Sequence, residues 1–177
     1  TSRGQWGLTQ DDDGRFYYNT NSSMLRCDLL PSQYLSRNPY MPPAAGLNVA
    51  IASNNVFPGR MSPGINRGYT PILDMNAMLK TVTAACGPVI YRGDKYPKDY
   101  YGNAFVCEPA ANMIIRHVLT SDGIKLTGKS AQHDNLDFLT STDERFRPVN
   151  IYTAPDGTLY VLDIYHGILQ HRAYLTA

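Results

Sequence analysis

Apolar and polar residues alternate most clearly in a segment near the end of the chain. Val149 and Ile151 alternate with polar neighbours, and a Pro155-Asp156-Gly157 tripeptide follows them. A period of two is typical of a half-buried strand, and Pro-Asp-Gly favours a tight turn because Pro fixes φ and Gly accepts a positive φ. The β-branched and aromatic stretch from Thr158 to Tyr165 is then the returning strand, and Ile168 to Tyr174 is expected to add a third.

The same pattern occurs at two earlier places in the chain. Residues 7–21 overlay residues 150–163, with Asp13-Gly14 as the turn. Another copy runs through residues 102–119, with a short turn at Ala110-Ala111-Asn112. A hairpin that recurs in this way is typical of a propeller or a solenoid rather than a sandwich.

A long passage rich in Pro, Gly and Asn separates the first copy from the second. It runs over about residues 31–85, and we treat it as a loop insertion. Within it, Val49 to Ala52 is a candidate strand, and Ile72 to Ala85 is the one place where a short helix is plausible.

The number of copies sets the expected architecture. A propeller blade takes roughly 40–50 residues, and at least about four blades are needed to close a ring. Residues 1–177 hold three recognisable blades, or four if the passage contains a poorly marked one. We therefore expect an all-β chain that forms part of a β-propeller, with the remaining blades supplied by another chain or by sequence outside this one.

Charge and hydropathy exclude two classes of function. The chain has 177 residues, 16 basic and 15 acidic side chains, a net charge of +1 and no block of either sign. A nucleic-acid binder that follows the phosphate backbone needs a basic stripe, so we expect no nucleic-acid partner. No apolar run reaches the ~18–20 residues of a membrane-spanning helix. No leader sequence opens the chain, so any export signal has been removed or lies upstream.

The three cysteines leave two interpretations open. Cys27, Cys86 and Cys107 form no C-x-x-C pair and no haem-attachment motif. Cys86 opens one candidate strand and Cys107 lies in the next, so a Cys86–Cys107 disulfide across the two strands is geometrically reasonable in an oxidising compartment. The alternative is a pair of small buried thiols.

The other candidate ligands form no recognisable site. The four histidines, His117, His133, His166 and His171, share no metal-binding spacing. The acidic run Asp11-Asp12-Asp13-Gly14 lacks the alternating ligands and the final Glu of a calcium-binding EF-hand loop. We interpret that run as a charged hairpin turn.

Several motifs, taken in order, resemble one known family. They are Arg3 to Leu8, Gly87-Pro88 to Pro97 followed by Gly102 to Val106, and Arg145-Phe146-Arg147 before Pro155 to Val161. Together they resemble the glucose/sorbosone dehydrogenases, which are soluble quinoprotein sugar dehydrogenases. The nearest likeness is to the large membrane-bound dehydrogenase branch of planctomycete-type bacteria, in which Thr-Ala-Ala-Cys-Gly-Pro, Cys-Glu-Pro-Ala and Ser-Thr-Asp-Glu-Arg-Phe-Arg-Pro-Val-Asn read almost as they do here.

The resemblance implies a fold, a cofactor and a compartment. The fold would be three to four blades of a six-bladed propeller, present as a fragment or a split chain. The axial face would bind pyrroloquinoline quinone (PQQ) and calcium, and the protein would be periplasmic or extracellular. It would oxidise a sugar or another alcohol and pass electrons to a c-type cytochrome. Arginine suits a planar polycarboxylate cofactor because its guanidinium forks onto carboxylates and stacks on flat rings.

Carried over by position, the resemblance assigns Arg145, Arg147 and Arg3 to cofactor binding. Arg145 and Arg147 are expected on one face of a strand, as alternate residues are. Gly4 stands where the family has Asn, Pro148-Val149-Asn150 replaces its Asp-Val, and the family's catalytic His motif is absent from this chain. The catalytic and metal-binding residues are therefore unassigned.

Two functions follow from these observations. One is a quinoprotein-type dehydrogenase. The other is a non-catalytic propeller that serves as a structural or interaction subunit of a larger, haem-containing assembly, because many propellers only present a rigid face to partners.

Overall fold

The chain forms antiparallel β-sheets in a computed structural model that describes residues 6–35, 37–40, 46–62 and 71–167. The first sheet has four strands in the order of the chain, each antiparallel to the next. They are β1 (Leu8–Gln10), β2 (Phe16–Thr20), β3 (Ser23–Cys27) and β4 (Val49–Ala50). One short helix, α1 (Ser32–Leu35), follows β3.

The second sheet repeats this arrangement, and a third sheet begins after it. The strands of the second sheet are β5 (Cys86–Ile90), β6 (Ala104–Glu108), β7 (Met113–Asp122) and β8 (Lys125–Ser130), with the short β9 (Leu139–Thr140) paired to the start of β7. The third sheet pairs β10 (Pro148–Thr153) with β11 (Leu159–Asp163). Short 3-10 turns cover Lys98–Tyr100 and Pro109–Ala111.

The three expected hairpins are confirmed, and their turns use the expected chemistry. At the first turn, Asp11 Oδ1 accepts hydrogen bonds from the backbone N–H groups of Asp13 (3.0 Å) and Arg15 (2.9 Å), and Gly14 has φ +79°. At the last turn Gly157 has φ +84°, a conformation that glycine adopts without strain. At the middle turn Asn112 takes the left-handed conformation. The acidic run 11–14 is therefore a hairpin turn, as interpreted.

Two hydrophobic clusters cover the two faces of the second sheet. The first lies against the first sheet and the 31–85 passage, and it includes Met24, Leu25, Ile72, Leu79, Val82, Val106, Met113 and Ile115. The second lies against the third sheet, and it includes Cys86, Val89, Tyr91, Phe105, Cys107, Ile114 and Ile151. All five residues of β6 are consequently buried.

The 31–85 passage differs from expectation in two respects. The helix expected within Ile72 to Ala85 is wrong, because Asp74 forms a turn: its Oδ1 accepts from the N–H of Met78 at 2.9 Å, and Leu73 bridges Leu79. The passage also contributes core residues, so it is not a detached loop. The strand expected at Val49 to Ala52 is confirmed only over Val49–Ala50, which is β4, and Ala52 forms an isolated bridge to Gly128.

The fold class is confirmed at the level of an all-β chain with several antiparallel sheets. None of the sheets closes on itself within the residues described. The strand expected at Ile168 to Tyr174 lies outside those residues. Among the described helices, none is long and apolar enough to cross a membrane.

Candidate functional site

The first strands of the three sheets approach one another closely. The N–H of Gly87, in β5, donates to the carbonyl of Trp6, just before β1, at 2.8 Å. A Cβ added to Gly87 would lie 2.5 Å from the carbonyl oxygen of Val149 in β10. A Cβ added to Gly7 would lie 2.8 Å from Pro88 Cδ. Glycine is needed here because the backbones leave no room for a side chain.

An open cleft of about 540 Å³ lies along these first strands. Its walls come from β1, from β5 and the residues that follow it, and from the end of β10. The lining residues are Leu8, Thr9, Gln10, Val89, Ile90, Arg92, Tyr101 and Thr153. The Oγ1 of Thr9 accepts from the N–H of Ile90 at 3.1 Å, which ties two of the walls together.

A polar cluster marks one rim of the cleft. Arg92 Nη2 lies 2.6 Å from Asp12 Oδ1, and the hydroxyl of Tyr101 donates to Asp12 Oδ2 at 2.8 Å. Hydrogen bonding with Tyr101 and the charge of Asp12 raise the pKa of Arg92. Because the pair is solvent-exposed, it contributes little to stability and its groups are accessible to a ligand.

The lining of this shallow cleft combines polar groups with an apolar face. Arg92 supplies donors, the hydroxyl oxygen of Tyr101 can accept, Gln10 supplies an amide, and Leu8 supplies apolar surface. Sequence reasoning missed Arg92 as a site residue. The only signal was its place directly after a strand, within the Tyr91-Arg92-Gly93-Asp94 part of a motif.

Arg147, assigned to the cofactor by resemblance, is instead bound to the protein backbone. It is only 7% exposed. Its Nη1 donates to the carbonyl of Pro109 at 2.5 Å, and its Nε is shared between the carbonyls of Gly167 (3.1 Å) and His166 (3.2 Å). Burial, with the charge of Arg60, lowers the pKa of Arg147. These contacts fasten the third sheet to the turn between β6 and β7.

Arg145 lies in a different environment. Its side chain is exposed, and its backbone N–H donates to Asp143 Oδ1 at 2.9 Å. Both arginines precede β10, which begins at Pro148, so the expectation that they share one face of a strand is wrong. Neither of them lines the cleft, and Arg3 lies outside the described residues.

The motifs behind the resemblance meet at Glu108, which is the last residue of β6. One carboxylate oxygen of this buried residue accepts from the N–H groups of Thr83 (2.9 Å) and Ala84 (3.0 Å). The other accepts from the N–H of Ala110 at 3.2 Å. The adjoining Pro109 carbonyl accepts from Arg147. Three family-like segments are therefore joined by hydrogen bonds that hold the fold.

A second polar link supports the same junction. The side-chain amide of Asn112 donates to the carbonyls of Phe146 (2.7 Å) and Glu144 (3.0 Å), and its oxygen accepts from Arg60 Nη1 at 3.0 Å. Asn tolerates the left-handed conformation that this turn requires. We call the set Glu108, Pro109, Asn112 and Arg147 the junction.

The two candidate disulfide cysteines face each other. Cys86 and Cys107 are register partners in β5 and β6, and both are buried thiols in this structure. Burial raises the pKa of Cys86 to about 12. It raises the pKa of Cys107 further. The disulfide stays a prediction.

Two buried titratable groups lie elsewhere, His117 in β7 and Asp137 in the segment between β8 and β9. Neither ring nitrogen of His117 has a hydrogen-bond partner, and burial lowers its pKa from 6.5 to about 4. Asp137 accepts from the N–H of Phe57 at 2.9 Å, and burial raises its pKa to about 6. His133 and His166 are exposed, and His171 lies outside the described residues. In the part of the chain that the structure describes, no three His, Cys, Asp or Glu side chains cluster as a metal site would require.

Comparison with known proteins gives one match. No curated protein and no solved structure matches the chain. One family model matches residues 1–177, and that family is described as Domain of unknown function (DUF7133). Because the match spans the whole chain, the protein belongs to the DUF7133 family.

Proposed function

We propose that this chain is a β-propeller segment of a dehydrogenase that oxidises a sugar or another alcohol. The observation that carries the proposal is the cleft shared by the first strands of three successive sheets. In a propeller, the first strand of each blade lines the central axis, and ligands bind where those strands meet. The resemblance of the ordered motifs supplies the reaction class.

The strand order supports the propeller. The first sheet is a four-stranded meander, β1 to β4, and the second contains a matching meander, β5 to β8, to which the short β9 adds a fifth strand beside β7. Each sheet packs face to face on the next one through an apolar cluster. The β10–β11 pair then begins a third blade. Its outer side presents Tyr152, Tyr160 and Leu162, a face that the next propeller sheet would cover.

The cleft suits a polyhydroxylated substrate. A sugar presents hydroxyls that can bond to Arg92, Tyr101 and Gln10, and its C–H face can lie on Leu8. These residues bind and orient the substrate in the proposal. No described residue is assigned to proton abstraction.

The cofactor assignment implied by the resemblance does not fit the described arginines. Arg147 uses its Nη1 and Nε donors on carbonyl groups, and Arg145 lies outside the cleft lining. We therefore derive no step through a quinone. PQQ and calcium remain part of the proposal as groups held by residues other than this pair, and a c-type cytochrome remains the proposed electron acceptor.

A second candidate is a non-catalytic structural or interaction propeller. The junction favours it, because the residues that carry the family resemblance make hydrogen bonds that hold the fold together. In that case the exposed β10–β11 face is the contact with the rest of the assembly.

The test uses the full-length natural protein. Its extract is analysed for PQQ by mass spectrometry, and dye-linked oxidation of a panel of aldoses and alcohols is measured with PQQ and calcium added. The dehydrogenase proposal expects turnover, and it expects Arg92→Ala to lower kcat/KM by about 10- to 100-fold, the loss of one charged hydrogen bond. Arg145→Ala is the matched control and should leave kcat/KM unchanged. Absence of PQQ together with no turnover of any panel member would favour the non-catalytic candidate.

A further inference from the structure

Two residues at the start of strand β5 donate no backbone hydrogen bond to β6. The register passes from Cys86 opposite Cys107 to Val89 opposite Phe105, so β5 carries one extra residue there. Pro88, within this bulge, has no N–H to donate. The N–H of Gly87 donates to the carbonyl of Trp6 in the neighbouring sheet. The N–H side of the ladder between β5 and β6 is therefore interrupted at these two residues.

The spacing of register partners matches the spacing of disulfide-bonded cysteines. Directly opposed residues in antiparallel strands have Cα atoms about 4.5–5.5 Å apart. Disulfide-bonded cysteines have Cα atoms about 4.4–6.8 Å apart. Cys86 and Cys107 also point to the same face, since both belong to the cluster between the second and third sheets. A bond between them needs no backbone movement on this criterion.

We propose that Cys86 and Cys107 form a cross-strand disulfide that braces the cleft strand. The bond would compensate for the two N–H donors that the bulge does not give to β6. It would fix β5, the strand that carries Val89 and Ile90 of the cleft wall, to β6. This inference is independent of the enzyme proposal, because it concerns only how the wall is held.

The reaction is an exchange with an oxidised dithiol. Each cysteine loses its thiol proton, the two sulfurs form one S–S bond, and two electrons reduce the disulfide of a thiol oxidoreductase to two thiols. The attacking species is the thiolate, and burial strongly disfavours thiolates at both positions. The exchange therefore takes place during folding, before the second and third sheets close over the pair. Once buried, the bond is shielded from reductants in the folded protein.

Cys27 provides an internal control. It is buried like the other two, but its register partners are Tyr17 and Val49, so no cysteine faces it. Trypsin also separates the three cysteines, because residues 27–37, 81–92 and 99–116 each form one peptide.

The test is peptide mapping of the full-length protein isolated from its natural source without reductant. The protein is unfolded in excess maleimide at near-neutral pH, which blocks free thiols before they exchange, and is then digested with trypsin and analysed by mass spectrometry. We expect peptides 81–92 and 99–116 to appear mainly as one cross-linked species, with 27–37 alkylated. Separate alkylated forms of 81–92 and 99–116 in most of the material would overturn the proposal.

A second measurement tests the bracing role. The double variant Cys86→Ala/Cys107→Ala is compared with Cys27→Ala, which also removes a buried sulfur. Two buried sulfurs are lost in the double variant, so without a disulfide its Tm should fall by about twice the shift of Cys27→Ala. We expect an additional fall of about 5–10 °C, as loss of a loop-closing disulfide implies. We also expect native-state hydrogen exchange in 86–92 to quicken at least tenfold. The bracing role would be contradicted if the double variant lowered Tm by only twice the Cys27→Ala shift and left hydrogen exchange in 86–92 unchanged.

Discussion

The second and third sheets are built from the same hairpin pattern, yet they differ in burial. Both faces of the second sheet are covered, and every residue of β6 is buried. In the third sheet Ile151 packs inward, whereas Tyr152 is 53% exposed and residues 160–163 of β11 are all exposed. The difference lies in the neighbours, because among the described residues a sheet packs on each side of the second sheet and on only one side of the third.

This comparison shows what the sequence pattern encodes. The Leu159 to Leu162 run is apolar or aromatic on both faces of the strand, which is typical of a strand covered on both sides. In the proposed propeller, a further sheet would cover this exposed face. Substitutions in the covered sheet should therefore cost more than substitutions on the exposed face, unless that face is an interface in the full-length protein.

The largest effect should come from the buried carboxylate of the second sheet. Glu108→Ala removes the acceptor of three backbone N–H groups, so we expect a loss of roughly 3–5 kcal/mol in the free energy of unfolding. Urea unfolding measures it. Glu144→Ala is the control, since that exposed carboxylate only approaches Arg60 at 3.8 Å and should change stability by less than about 0.5 kcal/mol. Equal effects of the two substitutions would contradict the role of the junction.

The pH dependence of stability tests the buried imidazole of the same sheet. The folded-state pKa of His117 is about 4 against an ordinary 6.5, so the unfolded chain binds more protons between these values. Stability should therefore fall as pH falls from 6.5 to 4, by up to roughly 3 kcal/mol. The stabilisation that depends on neutral His117 should be fully present above pH 6.5.

The pKa shift of Asp137 has the opposite effect on the pH dependence of stability. Its folded-state pKa is raised from 3.8 to about 6, so the folded state takes up its proton first and stability rises as pH falls from 6 to 4. His117→Leu removes the histidine contribution, so its free energy of unfolding should rise as pH falls from 6 to 4. Asp137→Asn removes the aspartate contribution, so its free energy of unfolding should fall over the same range. Two variants whose profiles run parallel to the wild type would contradict both assignments.

The two arginines test how the third sheet is attached to the second. Arg147→Ala leaves the Pro109 carbonyl without its donor and should cost about 2–3 kcal/mol of unfolding free energy. Arg145→Ala should cost less than about 0.5 kcal/mol because its side chain is exposed. Thermal unfolding measures both. If the arginines bind a cofactor as a pair, the two substitutions should instead weaken cofactor retention alike and leave the stability of the cofactor-free protein unchanged.

The smallest effect concerns the exposed face itself. Leu162 is 47% exposed, and Ile124, at the β7–β8 turn, is 73% exposed. Ile124→Ser should be neutral within about 0.5 kcal/mol. Leu162→Ser in the full-length protein should cost about 1–2 kcal/mol, because a further sheet would bury that side chain. A neutral Leu162→Ser would argue that the face stays in solvent.

The hairpins could be predicted because their signals are local. Asp-Gly turns and period-two alternation act over a few residues, so β1–β2 and β10–β11 were found with their turns. The helix at Ile72 to Ala85 was wrong because Asp74 bonds to the backbone of the same turn, and short polar side chains compete with helical bonding in this way.

The candidate site was harder to predict because its geometry is not local. Arg147 and Arg92 are both arginines near a strand end, and the sequence does not reveal that one is buried against a carbonyl 38 residues away while the other lies at a cleft rim. Position in a family motif pointed to Arg147. Burial and hydrogen bonding, which only the fold determines, point to Arg92.

The most direct test of the propeller is an experimental structure of the full-length natural protein. The account predicts a further antiparallel sheet packed on the face formed by Tyr152, Tyr160 and Leu162, with its first strand beside β10 at the cleft. A structure in which that face is in solvent, or in which the three sheets close into a self-contained sandwich, would contradict it.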